Sequence, residues 1–212
     1  MIQRTPVSRG LVDYDAYRQL VKDGEKADLI DGVIFMASPD TRLSNNLNGF
    51  LYQLIAGFID ARGIDGFVFF SRFSCKISEF RAPEPDVGYV RPERVHLVEE
   101  RHMLGGPDIA VEIVSRDSRQ RDYHEKLALY QGAGVSEYWI VDPAQKQVQF
   151  LGLINGVYEP LTMEDNRIFR CGVIPDFWLD VDWLLTKPVP GAYQCLEQIL
   201  AGKPRVSRKR KR

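Results

Sequence analysis

Residues 108 to 141 constrain the fold of this chain more than any other segment, because they combine a strand, a helix and a second strand. The apolar pattern predicts a strand from Asp108 to Val114 and another from Glu137 to Val141. A helix is predicted between them, capped by Asp117 or Ser118 and running to about Gln131. Two strands joined by one helix within about 35 residues favour an α/β crossover, so the fold class that we predict is α/β.

Patterns on both sides of this crossover predict a mixed central sheet flanked by helices, with an additional C-terminal hairpin and helix. Apolar periodicity, capping residues and turn dipeptides give the element boundaries. The predicted elements are a helix capped by Asp13 that ends near Asp23-Gly24, a hairpin turning at Asp31-Gly32, a helix from Leu43 to Arg62, strands at Phe67 to Phe73 and Pro85 to Val90, a hairpin of Gln147 to Leu153 with Val157 to Leu161, and a helix from Ala192 to Ala201.

Positive charge is concentrated at the C-terminus. The last eight residues, RVSRKRKR, hold six of the 28 Lys and Arg residues, so the other 22 are outnumbered by the 29 Asp and Glu residues. This distribution excludes a uniformly basic protein that coats DNA. We predict a single domain over residues 1–202, followed by a basic tail at 203–212 that has too few apolar residues to order itself.

The cysteines and the apolar segments favour a soluble, cytoplasmic protein. Cys75, Cys171 and Cys195 form no CxxC pair, so we expect buried thiols and not a disulfide framework or a zinc site. The apolar stretch from Phe50 to Ile59 is too short for a bilayer, and no signal peptide is recognisable. His96, His102 and His124 lack metal-ligand spacing and are expected to be solvated.

Two acidic residues in buried strands are the candidate site. Along the strand from Asp108 to Val114, Glu112 is the only charge in an apolar centre. An unpaired buried carboxylate costs several kcal/mol, so it needs a metal ion, a cation or protonation. Asp86 begins another strand directly after Glu84-Pro85. Two carboxylates on neighbouring strands form an oxygen-only site that suits Mg²⁺ or Mn²⁺ better than Zn²⁺.

Lys126 lies on the predicted helix between the two crossover strands, four residues after Asp122. Its long stem can follow the apolar surface while the ammonium reaches the strand ends near Asp86 and Glu112. A metal ion beside a lysine suits phosphodiester cleavage, because both offset charge that develops on phosphoryl oxygens. The alternative is an exposed lysine paired with Asp122, which would then be a surface charge and not a residue that orients Lys126.

Three stretches resemble the Uma-type restriction endonuclease family, a branch of the PD-(D/E)XK nuclease superfamily. They are EPD at 84–86, PDIAVEIVS at 107–115 and RDYHEKLALYQGAGVSEYWIVDP at 121–143. The resemblance runs from about Asp28 to Phe150 and implies a restriction-endonuclease-like core with Mg²⁺-dependent cleavage of nucleic acid. It assigns Asp86 as the superfamily aspartate and Glu112 as the second acidic residue, and it leaves open a homodimer.

The chain departs from the family pattern at three places. Residue 114 is valine where the superfamily has a lysine, and Lys126 is the substitute that the resemblance implies. Asp28, in DLIDG, takes the place of an early glutamate. A histidine that is usual after the Ser38-Pro39 step is missing from SPDTRLSNN.

Three functions follow from these observations. The first is a magnesium-dependent endonuclease acting on DNA, with Asp86 and Glu112 as metal ligands and with Lys126 and Asp28 as further catalytic residues. The second is a nucleic-acid-binding module of the same fold that has lost turnover, which Val114 and the missing histidine favour. The third is an assembly protein that pairs subunits through an aromatic C-terminal region containing Trp178 and Trp183.

Overall fold

The computed structural model describes residues 10–202, so the predicted tail at 203–212 lies outside the described residues. Five α-helices and thirteen β-strands follow one another along these residues. In chain order they are α1 (Tyr14–Leu20), β1 (Ala27–Ile30), β2 (Val33–Met36), α2 (Arg42–Arg62), β3 (Phe67–Phe70), β4 (Ser74–Lys76), β5 (Val87–Val90), β6 (His102–Leu104), β7 (Ile109–Ile113), α3 (Lys126–Gly132), β8 (Glu137–Asp142), β9 (Gln147–Ile154), β10 (Val157–Pro160), β11 (Met163–Glu164), β12 (Ile168–Arg170), β13 (Trp178–Asp180), α4 (Val181–Leu185) and α5 (Ala192–Leu200).

The central sheet has six strands in the order β10-β9-β8-β7-β5-β3. Only β7 and β8 pair in parallel, and the other neighbours are antiparallel. This confirms the predicted mixed sheet and the crossover from β7 through α3 to β8. The hairpin of β9 and β10 forms one side of this sheet, because β9 pairs along the whole of β8.

The two faces of the central sheet bury different helices. Ile109, Val111 and Ile113 on β7 pack in a core cluster with α2, α5 and the strands β12 and β13. Ala110 and Val114, which alternate with them, pack in a second cluster with Leu129, Tyr130 and Tyr138. Since side chains alternate along a strand, Glu112 lies on the α3 face, between two residues of the second cluster.

The long helix α2 begins and ends where the sequence indicates. Thr41 accepts the backbone N–H of Ser44 at its start, and Gly63, with φ of 63°, follows its last residue. Its buried stripe contacts the first core cluster, which also includes Cys195 and Ile199 of α5. Because this cluster includes residues from α2 and from α5, it joins the first long helix to the C-terminal end of the described chain.

The hairpin of β1 and β2 is a separate two-stranded sheet that carries two site residues. Its turn places Asp31 at φ 50° and Gly32 at φ 77°, the left-handed region that an Asp-Gly turn supplies. Leu29 of β1 bridges to Ala82, just before the EPD stretch. The hairpin is therefore anchored beside the start of β5, and Lys26 and Asp28 lie at that contact.

The structure differs from two predictions and contains a small sheet that was not predicted. The strand expected at Phe67 to Phe73 ends at Phe70, because Ser71 and Arg72 have φ of 30° and 65°, outside the extended region of a regular strand. His102 is not solvated, since it lies buried in β6. The small sheet of β11, β12 and β13 has strands too short for a clear alternation, and the sequence does not predict it.

The buried thiols are confirmed, because the three cysteines are free and lie in the interior. Between residues 10 and 202, no helix has both the length and the apolar character needed to cross a membrane.

Candidate active site

Asp86 lies at the start of β5, where this strand meets β7. Strand pairing matches Val87 with Val111, so one further step of the same register places Asp86 opposite Glu112. Residues directly opposite in an antiparallel pair have their side chains on the same face. Asp86 Oδ2 also accepts the backbone N–H of Ile113 at 2.7 Å, which ties the aspartate to the neighbouring strand.

Glu112 is buried and shares one oxygen between two donors. Its Oε1 accepts hydrogen bonds from Lys126 Nζ at 2.9 Å and from the Tyr130 hydroxyl at 2.8 Å. Burial raises the pKa of Glu112 to about 8, because the opposing effect of Lys126 is partly offset by the nearby Asp122 and Asp86 carboxylates. A proton or a second cation therefore stabilises this side chain near neutral pH.

A turn of π-helix at Arg121–Glu125 sets the direction of Lys126. The Lys126 backbone N–H bonds to Arg121 O, five residues back, so the helix contains one extra residue at this point. Single π turns of this kind are frequent at functional sites. The turn places both Asp122 and Lys126 on the buried side of the helix. A regular 3.6-residue period in the sequence does not predict such a turn.

Lys126 lies among three carboxylates. Its Nζ is 2.9 Å from Glu112 Oε1, 3.0 Å from Asp28 Oδ2 and 3.9 Å from Asp122 Oδ1. Burial alone would lower the pKa of Lys126, but these carboxylates outweigh burial and hold the pKa well above its ordinary value. The ammonium is therefore a permanent charge, and the interpretation of Lys126 as an exposed lysine is wrong.

Asp122 is buried too, so its interpretation as a surface charge is wrong. Its Oδ2 accepts the Ser118 hydroxyl, while its buried Oδ1 has no hydrogen-bond partner. Burial raises the pKa of Asp122 despite the Lys126 ammonium. Asp122 therefore places a negative charge beside Lys126, as expected of a residue that orients this lysine.

Asp28 joins the β1–β2 hairpin to the other acidic residues. Its Oδ1 accepts the backbone N–H of Glu84 at 2.9 Å, and its Oδ2 faces Lys126 Nζ at 3.0 Å. One aspartate therefore connects the EPD stretch with the lysine of the crossover helix.

Lys26 is a site residue that the sequence interpretation missed. Its ammonium forms an ion pair with Asp86 Oδ1. Burial alone would raise the pKa of Asp86, but the charge and hydrogen bond of Lys26 lower it below the ordinary value. A signal was present, because Lys26 and Asp28 are two residues apart in an extended segment and therefore share a face.

Glu84 lies behind this group and was also missed. The Tyr17 hydroxyl is 2.9 Å from Glu84 Oε1 and 2.7 Å from Ala27 O, within the buried interior. Burial raises the pKa of Glu84 to about 7, with the Asp28 carboxylate adding to the effect of burial and Tyr17 opposing it. Glu84 thus links α1, the hairpin and the start of β5.

The acidic side chains and lysines in front of Glu84 open onto one cavity of about 400 Å³. The four predicted site residues, Asp28, Asp86, Glu112 and Lys126, all line this cavity. Lys26 and Asp122 line it as well. Arg72, Arg121 and the start of α2 complete the walls. The SPDTRLSNN stretch therefore lies at the site, and it contributes Ser38, Thr41 and Ser44 where the sequence lacks the expected histidine.

The donors in this cavity fit a hard divalent cation. Within residues 10–202 no three His, Cys, Asp or Glu side chains converge as a complete ligand cage. Mg²⁺ does not need one, because it commonly binds one or two carboxylates and keeps several water ligands. The available oxygens include the unpartnered Asp122 Oδ1, and among the described residues neither an imidazole nor a thiol lines the walls.

The sequence matches the model of a known protein family. The model for Uma2, described as "Putative restriction endonuclease", matches residues 13–182. This chain belongs to the Uma2 family. The match extends beyond the segment of the resemblance at both ends and includes all the side chains of the cavity that are named above.

A solved structure supports the fold of this Uma2 member. The crystal structure of a "putative nuclease belonging to DUF820" from Anabaena variabilis ATCC 29413 aligns with a TM-score of 0.69 and 16% sequence identity. The alignment covers 82% of this chain and 97% of that chain. No curated protein matches the sequence. The structural likeness confirms the mixed α/β fold.

Proposed function

We propose that this protein is a magnesium-dependent endonuclease that hydrolyses phosphodiester bonds in DNA. One observation carries the proposal: Asp28, Asp86, Glu112 and Lys126, which come from β1, the start of β5, β7 and α3, line a single cavity. Membership of a family described as a putative restriction endonuclease supports the reaction class and the choice of DNA. Mn²⁺ is the expected alternative metal, since it accepts the same oxygen ligands.

In this proposal Asp86 and Glu112 hold the metal ion, and the rest of the chemistry falls to neighbouring side chains. When bound, Mg²⁺ lowers the pKa of a water ligand and polarises the phosphate. The Lys126 ammonium offsets the negative charge that builds up on the phosphoryl oxygens during attack. Asp28 fixes the position of that ammonium through its 3.0 Å contact, so it acts as an auxiliary carboxylate.

The cavity walls suit a polyanionic substrate in spite of their acidic floor. Arg72 and Arg121 line the cavity, and within residues 10–202 neither forms an ion pair with a carboxylate. Arginine side chains of this kind bind phosphate groups without reading the base sequence. We assign them to the phosphates of the DNA strand on either side of the cleaved bond.

The second candidate is a nuclease-fold module that binds nucleic acid without turnover. Val114 and the missing histidine favour it, and the ion pairs of the cavity add an observation. Lys26 forms an ion pair with Asp86, and Lys126 forms one with Glu112. Each proposed metal ligand is therefore already paired with a cationic side chain. A site that keeps these pairs when nucleic acid binds would lack a metal ion and would not cleave.

Cleavage of supercoiled plasmid at low salt tests the proposal. Wild type, Asp86→Asn and the exposed control Asp60→Asn are compared with Mg²⁺, with Mn²⁺ and with EDTA. We expect nicking by wild type and Asp60→Asn with either metal, and none by Asp86→Asn or with EDTA. Equal metal-dependent cleavage by Asp86→Asn would contradict the proposed site. Plasmid binding by wild type without cleavage under any condition would favour the binding module.

A further inference from the structure

The cavity contains two lysines that are held in very different ways. Lys126 projects from a helix, its side chain is 3% exposed, and three carboxylates lie within 4 Å of its ammonium. Lys26 precedes strand β1, and its side chain is 17% exposed. Within the described residues, Asp86 is the one carboxylate in ion-pair contact with Lys26. Lys26 is therefore the cation that can leave its partner more easily.

Both oxygens of Asp86 have partners, but the two partners differ in mobility. Oδ2 accepts the backbone N–H of Ile113, which the pairing of β7 with β8 holds in place. Oδ1 accepts the ammonium of Lys26, whose four-carbon stem has freely rotating bonds. The chain just before it, at Lys22 to Glu25, is exposed to solvent. A cation that approaches Asp86 therefore meets Lys26 as the removable partner.

We propose that Lys26 competes with the metal ion for Asp86: its ammonium occupies Oδ1 in the metal-free protein and must leave before a divalent cation binds there. This inference rests on the proposed function, because it takes Asp86 as a metal ligand. Lys26 is then a positioning residue that sets the metal affinity of the site without being a ligand.

The charges of the cavity explain why such a competitor is useful. Asp28, Asp86, Glu112 and Asp122 lie close enough to influence one another, and Lys126 alone cannot neutralise them. Lys26 removes part of that repulsion when no metal ion is present. After displacement it remains attached to the cavity wall, where it is available to a phosphate of the substrate. Loss of Lys26 should therefore tighten metal binding and weaken binding of nucleic acid.

Metal titration without nucleic acid tests this inference with a readout other than activity. Isothermal titration calorimetry with MgCl₂ compares wild type with Lys26→Met, Lys26→Gln and Lys26→Arg, and Lys22→Met is the matched control on the same exposed segment. We expect both neutral variants to bind Mg²⁺ about tenfold more tightly, the size of effect that one contacting charge has on a carboxylate equilibrium. Lys26→Arg and Lys22→Met should stay near wild type.

Two results would overturn the inference, and they separate it from the proposed function. Unchanged or weaker Mg²⁺ binding by both neutral variants, with binding lost in Asp86→Asn, would reject Lys26 as a competitor and keep Asp86 as a ligand. Absence of Mg²⁺ binding from wild type and both neutral variants would reject both assignments. Detectable binding by the neutral variants alone would support the inference. Guanidinium denaturation shows that each variant is folded.

Discussion

Two buried glutamates on neighbouring strands, Glu112 on β7 and Glu137 at the start of β8, meet different surroundings. Burial raises the pKa of each above its ordinary value. Glu112 faces a cavity and pairs with the charged Lys126. Glu137 is surrounded by protein, and its hydrogen-bond partners are neutral donors. The comparison separates a carboxylate that is available for chemistry from one that holds the structure together.

The donors around Glu137 come from its own strand and from the segment after β12. Its Oε1 accepts the backbone N–H groups of Gly172 and Val173 at 2.6 and 3.2 Å, and its Oε2 accepts Trp139 Nε1 at 2.8 Å. Gly172 is suited to this approach, since a Cβ there would lie 3.1 Å from the carboxylate. Every donor is fixed by the fold, so Glu137 secures the C-terminal segment and has no free oxygen to offer a ligand.

Glu112 has the opposite arrangement. Its partners are an ammonium and a phenol on the crossover helix, and the nearby Asp86 and Asp122 add negative charge. Such a cluster costs stability, because burying several charges is favourable only when each is compensated. Burial with incomplete compensation beside a cavity is what distinguishes the candidate site from the other buried acids of this fold.

The largest effect on stability should come from Lys126→Met, which removes the ammonium that Glu112 has and Glu137 lacks. The change leaves Asp28, Glu112 and Asp122 without their common cation. We expect the free energy of unfolding to fall by about 3–5 kcal/mol at pH 8. Urea denaturation measures it, and adding Glu112→Gln should recover part of the loss. A loss below about 1 kcal/mol would mean that Lys126 is not the compensating charge.

Glu137→Ala should have the next largest effect. It should lower the stability of the protein without impairing cleavage. It leaves the buried indole of Trp139 and the buried amide of Val173 without an acceptor and removes the acceptor of the more exposed Gly172 amide, which should cost about 2–4 kcal/mol. Because the side chain does not line the cavity, plasmid cleavage by the folded protein should stay within about threefold of wild type. A selective loss of cleavage at temperatures where the variant is fully folded would contradict the structural role of Glu137.

The pH dependence of stability extends the comparison to Glu84. The pKa of Glu84 is raised to about 7 in the folded protein, so the folded state keeps a proton that the unfolded chain has already released. Its contribution to the free energy of unfolding is therefore full below about pH 4.5 and is lost as the pH rises to about 7. We expect a difference of about 1–3 kcal/mol between pH 5 and pH 8.

The control for this prediction is Glu84→Gln, which keeps a hydrogen-bonding group beside Tyr17 without the titration. Wild type should lose more stability than the variant between pH 5 and pH 8, as measured by urea denaturation at both values. Identical pH profiles would show that Glu84 titrates in the folded protein as it does in the unfolded chain.

The smallest expected effect is on DNA binding, from a change at Arg121. This arginine lines the cavity, whereas within the described residues no cationic side chain forms an ion pair with Glu137. Its Nε is buried without a hydrogen-bond partner, and its guanidinium lies 5.0 Å from the centre of the Phe35 ring. Arg121→Ala should weaken DNA binding several-fold and reduce the slope of log K against log salt by about one. Fluorescence anisotropy measures both, with exposed Arg101→Ala as the control. An unchanged slope would remove Arg121 from the phosphate contacts.

Much of the fold and part of the site could be predicted from the sequence. Alternation along β7 isolates Glu112 as a charge among apolar residues, and helical spacing predicts that Lys126 lies near the site, although the π turn is what buries it. Asp86 follows from the proline and strand start around it. These predictions depend on local periodicity, which a single sequence displays directly.

The residues that the sequence did not reveal depend on an irregular helical turn or on contacts between distant segments. Asp122 becomes buried through a π turn that disrupts the regular helical period. Lys26 and Asp86 are 60 residues apart in the sequence. They meet because the β1–β2 hairpin is anchored by the bridge between Leu29 and Ala82. Glu84 is buried by Tyr17 of α1. The spacing of Lys26 and Asp28 indicates a shared face, but pairings of this range leave no periodic signal for the distant partner in one chain.

The most direct test of the account compares Glu112→Gln with Glu137→Gln in two assays, plasmid cleavage with Mg²⁺ and urea denaturation. We expect Glu112→Gln to cleave at least about a thousandfold more slowly, because a metal ligand is lost. Its free energy of unfolding should be no lower than that of wild type, because a costly buried charge is removed. Glu137→Gln should cleave normally once folded and be the less stable of the two. Wild-type cleavage by Glu112→Gln would contradict the account.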